Sequence, residues 1–94
     1  MATSVIKKPV SNITWQLIPA SSTQSITVDQ VCFVFINESD VDCGIIQCSN
    51  TVVKTISSIG TMNAEVTKPS RNVLQIKNNR TWNINIWILG VSAR

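Results

Sequence analysis

The feature that most constrains the fold of this chain is its abundance of side chains that branch at Cβ. Ile, Val and Thr account for 33 of the 94 residues, whereas Leu contributes three and Ala four. β-branched side chains are stiff about χ1 and pack well on a pleated sheet, and the best helix formers include Ala, Leu, Glu and Lys. The sequence therefore predicts an all-β protein.

Short apolar segments separated by turn residues run along the whole sequence. Ile13, Trp15 and Leu17 alternate with polar residues, which predicts a half-buried strand with these three side chains turned inward. Residues 31–36 are apolar at every position, which is typical of a central strand or of a strand covered on both faces. Regular spacing of such segments favours a sandwich or a small barrel.

We predict one domain over residues 1–94, an antiparallel β-sandwich of seven or eight short strands with a jelly-roll-like or Greek-key arrangement. Residues 1–10 are expected to form an N-terminal arm. Two hairpins are predicted. They join residues 44–48 to 51–56 and residues 73–77 to 81–89.

Even-numbered and odd-numbered residues of the last predicted strand lie on opposite sides of it. The core set is expected to be Trp82, Ile84, Ile86 and Ile88, and the opposite set Asn83, Asn85, Trp87 and Leu89. A Trp on a solvent-facing side needs a cover. Either a loop or the N-terminal arm lies over Trp87, or Trp87 is a subunit contact or a ligand platform.

The three cysteines do not predict a metal or redox site. Structural zinc sites use four Cys or His ligands, and this chain has three Cys and no His. Cys43 and Cys48 are spaced C-x4-C rather than C-x-x-C, and a catalytic Cys would need a His partner. We expect buried free thiols, although Cys43 and Cys48, or Cys32 with either, could form a disulfide.

The acidic segment at residues 38–44 superficially resembles a calcium-binding loop. An EF-hand loop has Gly at its sixth position, whereas Gly44 is seventh counted from Glu38. No Glu stands at the twelfth position. We expect a solvated turn, with another kind of calcium site as the alternative.

No set of residues predicts catalysis. A Ser–His–Asp triad is impossible without His, and the five carboxylates give no reason to select a pair. We therefore expect no enzyme activity, no cofactor and no metal. The longest apolar run is far below the roughly 20 residues that cross a bilayer, and the start of the chain lacks the pattern of a signal peptide.

Uncharged polar side chains dominate the rest of the composition. Ser, Thr, Asn and Gln total 34 residues against 13 charged ones, and such a surface is poorly protected against association. We predict a non-enzymatic structural protein that works by assembly, as a homo-oligomer (a trimer is one form) and through contacts with protein subunits. Such a chain fits a virion component made in the host cytoplasm: a capsid cement or decoration protein, or a small tail subunit, that stabilises the particle.

The expected interface lies partly on the last strand and partly on the arm. Its residues are Trp87, Leu89, Asn83, Asn85, Val5, Ile6 and Pro9. Replacement of Trp87 by Ala should weaken assembly without unfolding the monomer. No membrane partner is expected.

Two other kinds of binding are alternatives. In a lectin-like module, the Trp87 ring would cover a sugar face while Asn83 and Asn85 bond its hydroxyls. Single-stranded nucleic acid is the weaker alternative, since Lys77 and Arg80 flank one turn but the net charge is only +3.

Overall fold

Eight strands form two antiparallel sheets that pack against each other. The structure is a computed structural model that describes residues 10–92, with the side chains of residues 13–90, and no helix occurs in this part of the chain. The strands are β1 (Val10–Ile18), β2 (Thr23–Thr27), β3 (Val31–Ser39), β4 (Asp42–Ser49), β5 (Val52–Ile59), β6 (Glu65–Ser70), β7 (Val73–Lys77) and β8 (Ile84–Ser92).

The strand order confirms the predicted sandwich. One sheet has five strands in the order β1-β8-β3-β4-β5, and the other has three in the order β2-β7-β6. Hairpins join β3, β4 and β5, and β8 returns through the smaller sheet to lie beside β3. The order β8-β3-β4-β5 is therefore Greek-key-like.

The core lies between the sheets and consists mainly of Ile, Val and Leu. The larger sheet contributes alternate residues of β3 and β8, and the smaller sheet contributes Leu74 and Ile76 of β7. The prediction that Ile84, Ile86 and Ile88 are buried is confirmed. The prediction for Trp82 is wrong: it precedes β8, is 45% exposed, and its indole nitrogen donates a hydrogen bond to the carbonyl of Glu38 at 2.6 Å.

One predicted hairpin is confirmed and the other is wrong. β4 and β5 pair around a tight turn in which Asn50 has a φ of 56°. β7 and β8 do not pair, because the residues between them cross from the smaller sheet to the larger one. Asn78 anchors this crossing: it is fully buried, and its amide donates hydrogen bonds to the carbonyls of Ile18, Pro19 and Trp82.

The predicted orientation of β1 is also wrong. Ile13 and Trp15 are turned outward and are 73% and 55% exposed, while Ile18 is buried on the opposite side of the strand. β1 is an edge strand of the five-stranded sheet, and three strands cannot cover five. The inward side of β1 is therefore only partly covered, and it carries the polar residues Thr14 and Gln16.

Only part of the acidic turn is solvated: Asp40 and Val41 are exposed, as the sequence predicts, whereas Glu38 is buried. The carboxylate of Glu38 is buried, lies 2.8 Å from Nε of Arg80, and accepts hydrogen bonds from the backbone N–H groups of Asn63 and Ala64. Arg80 also donates to the carbonyl of Thr61. Its guanidinium lies 5.1 Å from the centroid of the adjacent Trp82 indole ring. This cluster joins the β3–β4, β5–β6 and β7–β8 connections at one end of the sandwich.

Asp42 belongs to the same end. The backbone N–H of Thr61 and the hydroxyl of Ser39 each donate to its carboxylate at 2.8 Å, and Arg80 lies 3.4 Å away. These hydrogen bonds, and the nearby Arg80 cation, hold the pKa of Asp42 below its usual value. The fourth connection at this end, β1–β2, is held by backbone bonds from Ser21 to Arg80 and from Asn78 to Ser22.

Candidate interaction surface

Neighbouring strands place large apolar side chains on the outward side of the five-stranded sheet. Trp15 on β1 is opposite Trp87 on β8, and Trp87 is opposite Phe35 on β3. The same row continues through Ile45 on β4 to Ser57 on β5. We call this side of the sheet the aromatic face. Its described Ile, Leu, Val, Phe and Trp residues are Ile13, Trp15, Leu17, Val31, Phe33, Phe35, Ile45, Val52, Ile59, Trp87 and Leu89.

The aromatic face is not covered by any of the described elements. The smaller sheet packs on the opposite side of the larger one, and Trp87 and Phe35 are each 37% exposed even though they flank each other. β3, the middle strand, thus buries Val34 in the core while presenting Phe35 to solvent. A strand with this pattern is usually buried on both sides, whereas the described elements leave the outward side of β3 uncovered.

Charge is almost absent from the aromatic face. Lys54, near one corner, is the one charged side chain among the outward positions of β1, β3, β4, β5 and β8 whose side chains are described. The outward side of the smaller sheet is different. It presents the polar or charged residues Thr23, Ser25, Thr27, Glu65, Thr67, Gln75 and Lys77. The two outer surfaces therefore differ in chemistry, and one of them resembles the core of an interface.

A groove lies in the half of the aromatic face formed by β3, β4 and β5. Its volume is about 240 Å³, and its lining includes Cys43, Ile45, Ser57 and Ile59, with Trp87 at one side. The surface is hollow at this point because Ser57, a small residue, occupies the β5 end of the row that runs from Trp15 through Ile45. β5 also has an irregular register opposite Ile45, which changes the direction of the edge strand beside the groove.

The half of the aromatic face formed by β1 and β8 is raised relative to the groove because it carries the large, exposed side chain of Trp15. Its indole nitrogen donates a hydrogen bond to Oδ1 of Asn85 at 3.0 Å. This bond orients the exposed ring towards the row of Leu17 and Asn85. An ordered Trp side chain loses little conformational entropy when it binds a partner.

The structure brings together three of the seven predicted interface residues. Trp87, Leu89 and Asn85 lie on the aromatic face as expected. Asn83 does not belong to the strand, because β8 begins at Ile84, and Oδ1 of Asn83 accepts a hydrogen bond from the backbone N–H of Ala20. The remaining three lie outside the described residues. They are Val5, Ile6 and Pro9.

Sequence reasoning missed the contribution of Trp15 and Phe35. The available signal was the apolar character of β3 on both faces, which implies a cover on each side. The sequence does not show that β1 lies next to β8, and this pairing is what places Trp15 beside Trp87.

The cysteines are free and occupy two environments. Cys32 and Cys48 are directly opposite on β3 and β4 and fully buried, as expected, whereas Cys43 is half-buried in the groove. A hydrogen bond from the Cys48 thiol lowers the pKa of Cys32 to about 7. The same hydrogen bond, together with burial, raises the pKa of Cys48.

The sites considered from the sequence for a metal ion and for nucleic acid have few side chains available for binding. Among the described residues, no group of three or more His, Cys, Asp or Glu side chains is arranged to hold a metal ion. Of the two basic residues suggested for nucleic acid, Arg80 is paired with buried Glu38, and Lys77 lies 3.9 Å from Glu65. Residues 10–92 also contain no helix long and apolar enough to span a bilayer.

Comparisons with protein families, with curated proteins and with solved structures return no match for this chain. A functional assignment therefore depends on the geometry of the aromatic face.

Proposed function

We propose that this chain is a non-enzymatic structural protein that assembles through the aromatic face, with copies of itself and other protein subunits as its partners. The observation that supports this proposal is the row Trp15, Trp87 and Phe35, exposed on a sheet side that carries one described charge. Large contiguous apolar patches on a folded protein mark interaction sites, and Trp is enriched among the residues that dominate binding energy.

The size of the aromatic face is compatible with this role. Four strand spacings of about 4.8 Å and six residue rises of about 3.4 Å give about 400 Å² between the outermost backbone positions. Side chains at the rim extend this to roughly 600 Å², so two such surfaces packed together would bury about 1,200 Å². That area is at the lower end of the range for stable interfaces, and we expect micromolar association.

A virion is the setting that we propose for this assembly. The support comes from composition: a small, charge-poor β-sandwich, rich in Ser, Thr and Asn, is suited to a shell of repeated subunits. The chain would act there as a cement, decoration or tail subunit that adds buried area at a junction. The glycan alternative has less support, because Oδ1 of Asn83 and Oδ1 of Asn85 already accept internal hydrogen bonds.

The proposal is tested by the solution mass of the protein between about 1 µM and about 1 mM, measured by light scattering. We expect the mass to rise with concentration for the wild-type chain. Trp87→Ala should raise the dissociation constant about 30-fold, since it removes the centre of the aromatic row. Gln75→Ala is the matched control, because Gln75 is the middle residue of the middle strand of the smaller sheet and faces outward.

Two results would count against the proposal. One is a wild-type protein that stays monomeric over the whole concentration range. The other is a Trp87→Ala variant that associates as tightly as the wild type and the Gln75→Ala control while keeping the same thermal unfolding midpoint. The first result would refute self-association through the aromatic face, and the second would remove the aromatic face as the assembly surface.

A further inference from the structure

The aromatic face is raised on one half and hollow on the other, with β3 between them. Trp15 on β1 lies two strands from β3, and Ser57 on β5 lies two strands from β3 on the opposite side. Both residues belong to the same row, at about 10 Å from β3. The groove of about 240 Å³ occupies the half that contains Ser57.

This arrangement is self-complementary under one type of two-fold rotation. Consider two copies packed face to face about an axis that runs parallel to β3. Each position on β1 then meets β5 of the other copy, and each position on β8 meets β4. Trp15 of one copy therefore lies over Ser57 and the groove of the other, Trp87 lies over Ile45, and Phe35 lies over Phe35. A two-fold axis perpendicular to the strands would instead place Trp15 against Trp15.

We infer that the partner of the aromatic face is a second copy of this chain, packed about a two-fold axis parallel to β3, with Trp15 of each copy filling the groove of the other. This inference rests on the proposed function and specifies the partner at the same surface. A two-fold interface between identical surfaces is the commonest arrangement of homo-oligomers.

The low charge of the aromatic face and the fixed orientation of the Trp15 ring also favour a second copy of the chain as the partner. Each chain carries a formal charge of +3, and packing two copies through the aromatic face brings few like charges together, because Lys54 is the one charged side chain described on it. Under the proposed rotation Lys54, the charged residue at its corner, meets Ile13 at the rim and not another Lys54. The Trp15 ring is held by its hydrogen bond to Asn85, and this orientation points it at the level of the groove.

The test exchanges the raised and the hollow positions. Ser57→Trp fills the groove with an aromatic side chain, and Trp is well tolerated at an outward strand position. If Trp15 must enter the groove, this variant should lose at least about 30-fold in self-association although it makes the face more apolar. Trp15→Ala should also weaken association. The double variant Trp15→Ala with Ser57→Trp moves the raised position to β5 and the hollow to β1, so it should pair with itself again within about fivefold of the wild type.

The matched control is Ser25→Trp, since Ser25 is an exposed residue in the middle of β2 and is turned outward on the smaller sheet, away from the aromatic face. This control should associate like the wild type. The thermal unfolding midpoint of every variant is measured at low protein concentration, to show that each monomer still folds. Sedimentation equilibrium gives the mass and the dissociation constant of each. A dimer that Ser57→Trp abolishes and the double variant restores would support the inference.

Three results would overturn the inference. If Ser57→Trp associates as tightly as the wild type, or if the double variant stays monomeric, the groove does not receive Trp15. A wild-type trimer would exclude the two-fold pair. In these three cases the proposed function survives as long as Trp87→Ala still weakens association, whereas no effect of Trp87→Ala would refute the proposed function itself.

Discussion

Removal of the Arg80 side-chain charge should destabilise the fold more than removal of any solvent-exposed charge. The carboxylate of Glu38 is buried and lies 2.8 Å from Nε of Arg80, whose side chain is 14% exposed. Breaking a buried ion pair from one side costs about 3–5 kcal/mol, because the remaining charge has no counter-ion. Glu38 would keep the backbone N–H groups of Asn63 and Ala64, so we expect the lower end of this range, about 3 kcal/mol, for Arg80→Met.

The measurement is urea unfolding at pH 7 and low protein concentration, followed by Trp fluorescence and by far-ultraviolet circular dichroism. A loss of about 3 kcal/mol corresponds to a fall in Tm of roughly 12–24 °C for a domain of this size. Glu38→Gln should cost about 2 kcal/mol, and the double variant should cost at least about 1 kcal/mol less than the sum of the two single changes. Arg71→Met, at an exposed turn residue, is the control and should stay within about 0.5 kcal/mol of the wild type.

The reasoning would be refuted by a cost below about 1 kcal/mol for Arg80→Met, a value typical of exposed ion pairs. Strict additivity of Glu38→Gln and Arg80→Met would also contradict it. In that case the two side chains would stabilise the fold through separate contacts and not through each other.

Three further predictions concern single residues. Asn78→Asp should cost at least about 3 kcal/mol in urea unfolding, because it places a carboxylate against the carbonyls of Ile18, Pro19 and Trp82 that the Asn78 amide now satisfies. Iodoacetamide should label Cys43 alone in the native monomer and all three cysteines after unfolding, with adducts counted by mass spectrometry; labelling of a buried cysteine under native conditions would contradict this. Because the pKa of Asp42 is held below its usual value, its contribution to stability is complete above about pH 5 and is lost as the pH falls below about 4, so Asp42→Asn should flatten the pH dependence of stability in that acid range.

The all-β fold could be predicted because its signal is spread over the whole chain. The β-branched residues and the alternation in β8 identify the inward positions Ile84, Ile86 and Ile88 without knowledge of any neighbour. The β4–β5 hairpin is local too, and Asn50 suits its turn.

The errors concern relations between distant segments. Alternation in β1 shows that one side is apolar but not which side meets the core, and that choice depends on a sheet of only three strands covering one of five. Asn78 and its neighbours look like a hairpin turn, but they connect two different sheets. The pair formed by Glu38 and Arg80 spans 42 residues of sequence, so no local pattern predicts it.

The clustering of four connections around Arg80 and Asn78 has a consequence for how the chain can change in length. An insertion into one of these connections would displace hydrogen bonds that join it to at least one of the others, so a change of length in one also disturbs its neighbours. The turn at Asn50 and Thr51 lies at the opposite end of the sandwich and is exposed. A foreign peptide or an affinity tag is therefore best carried at that turn, where it also leaves the centre of the aromatic face clear.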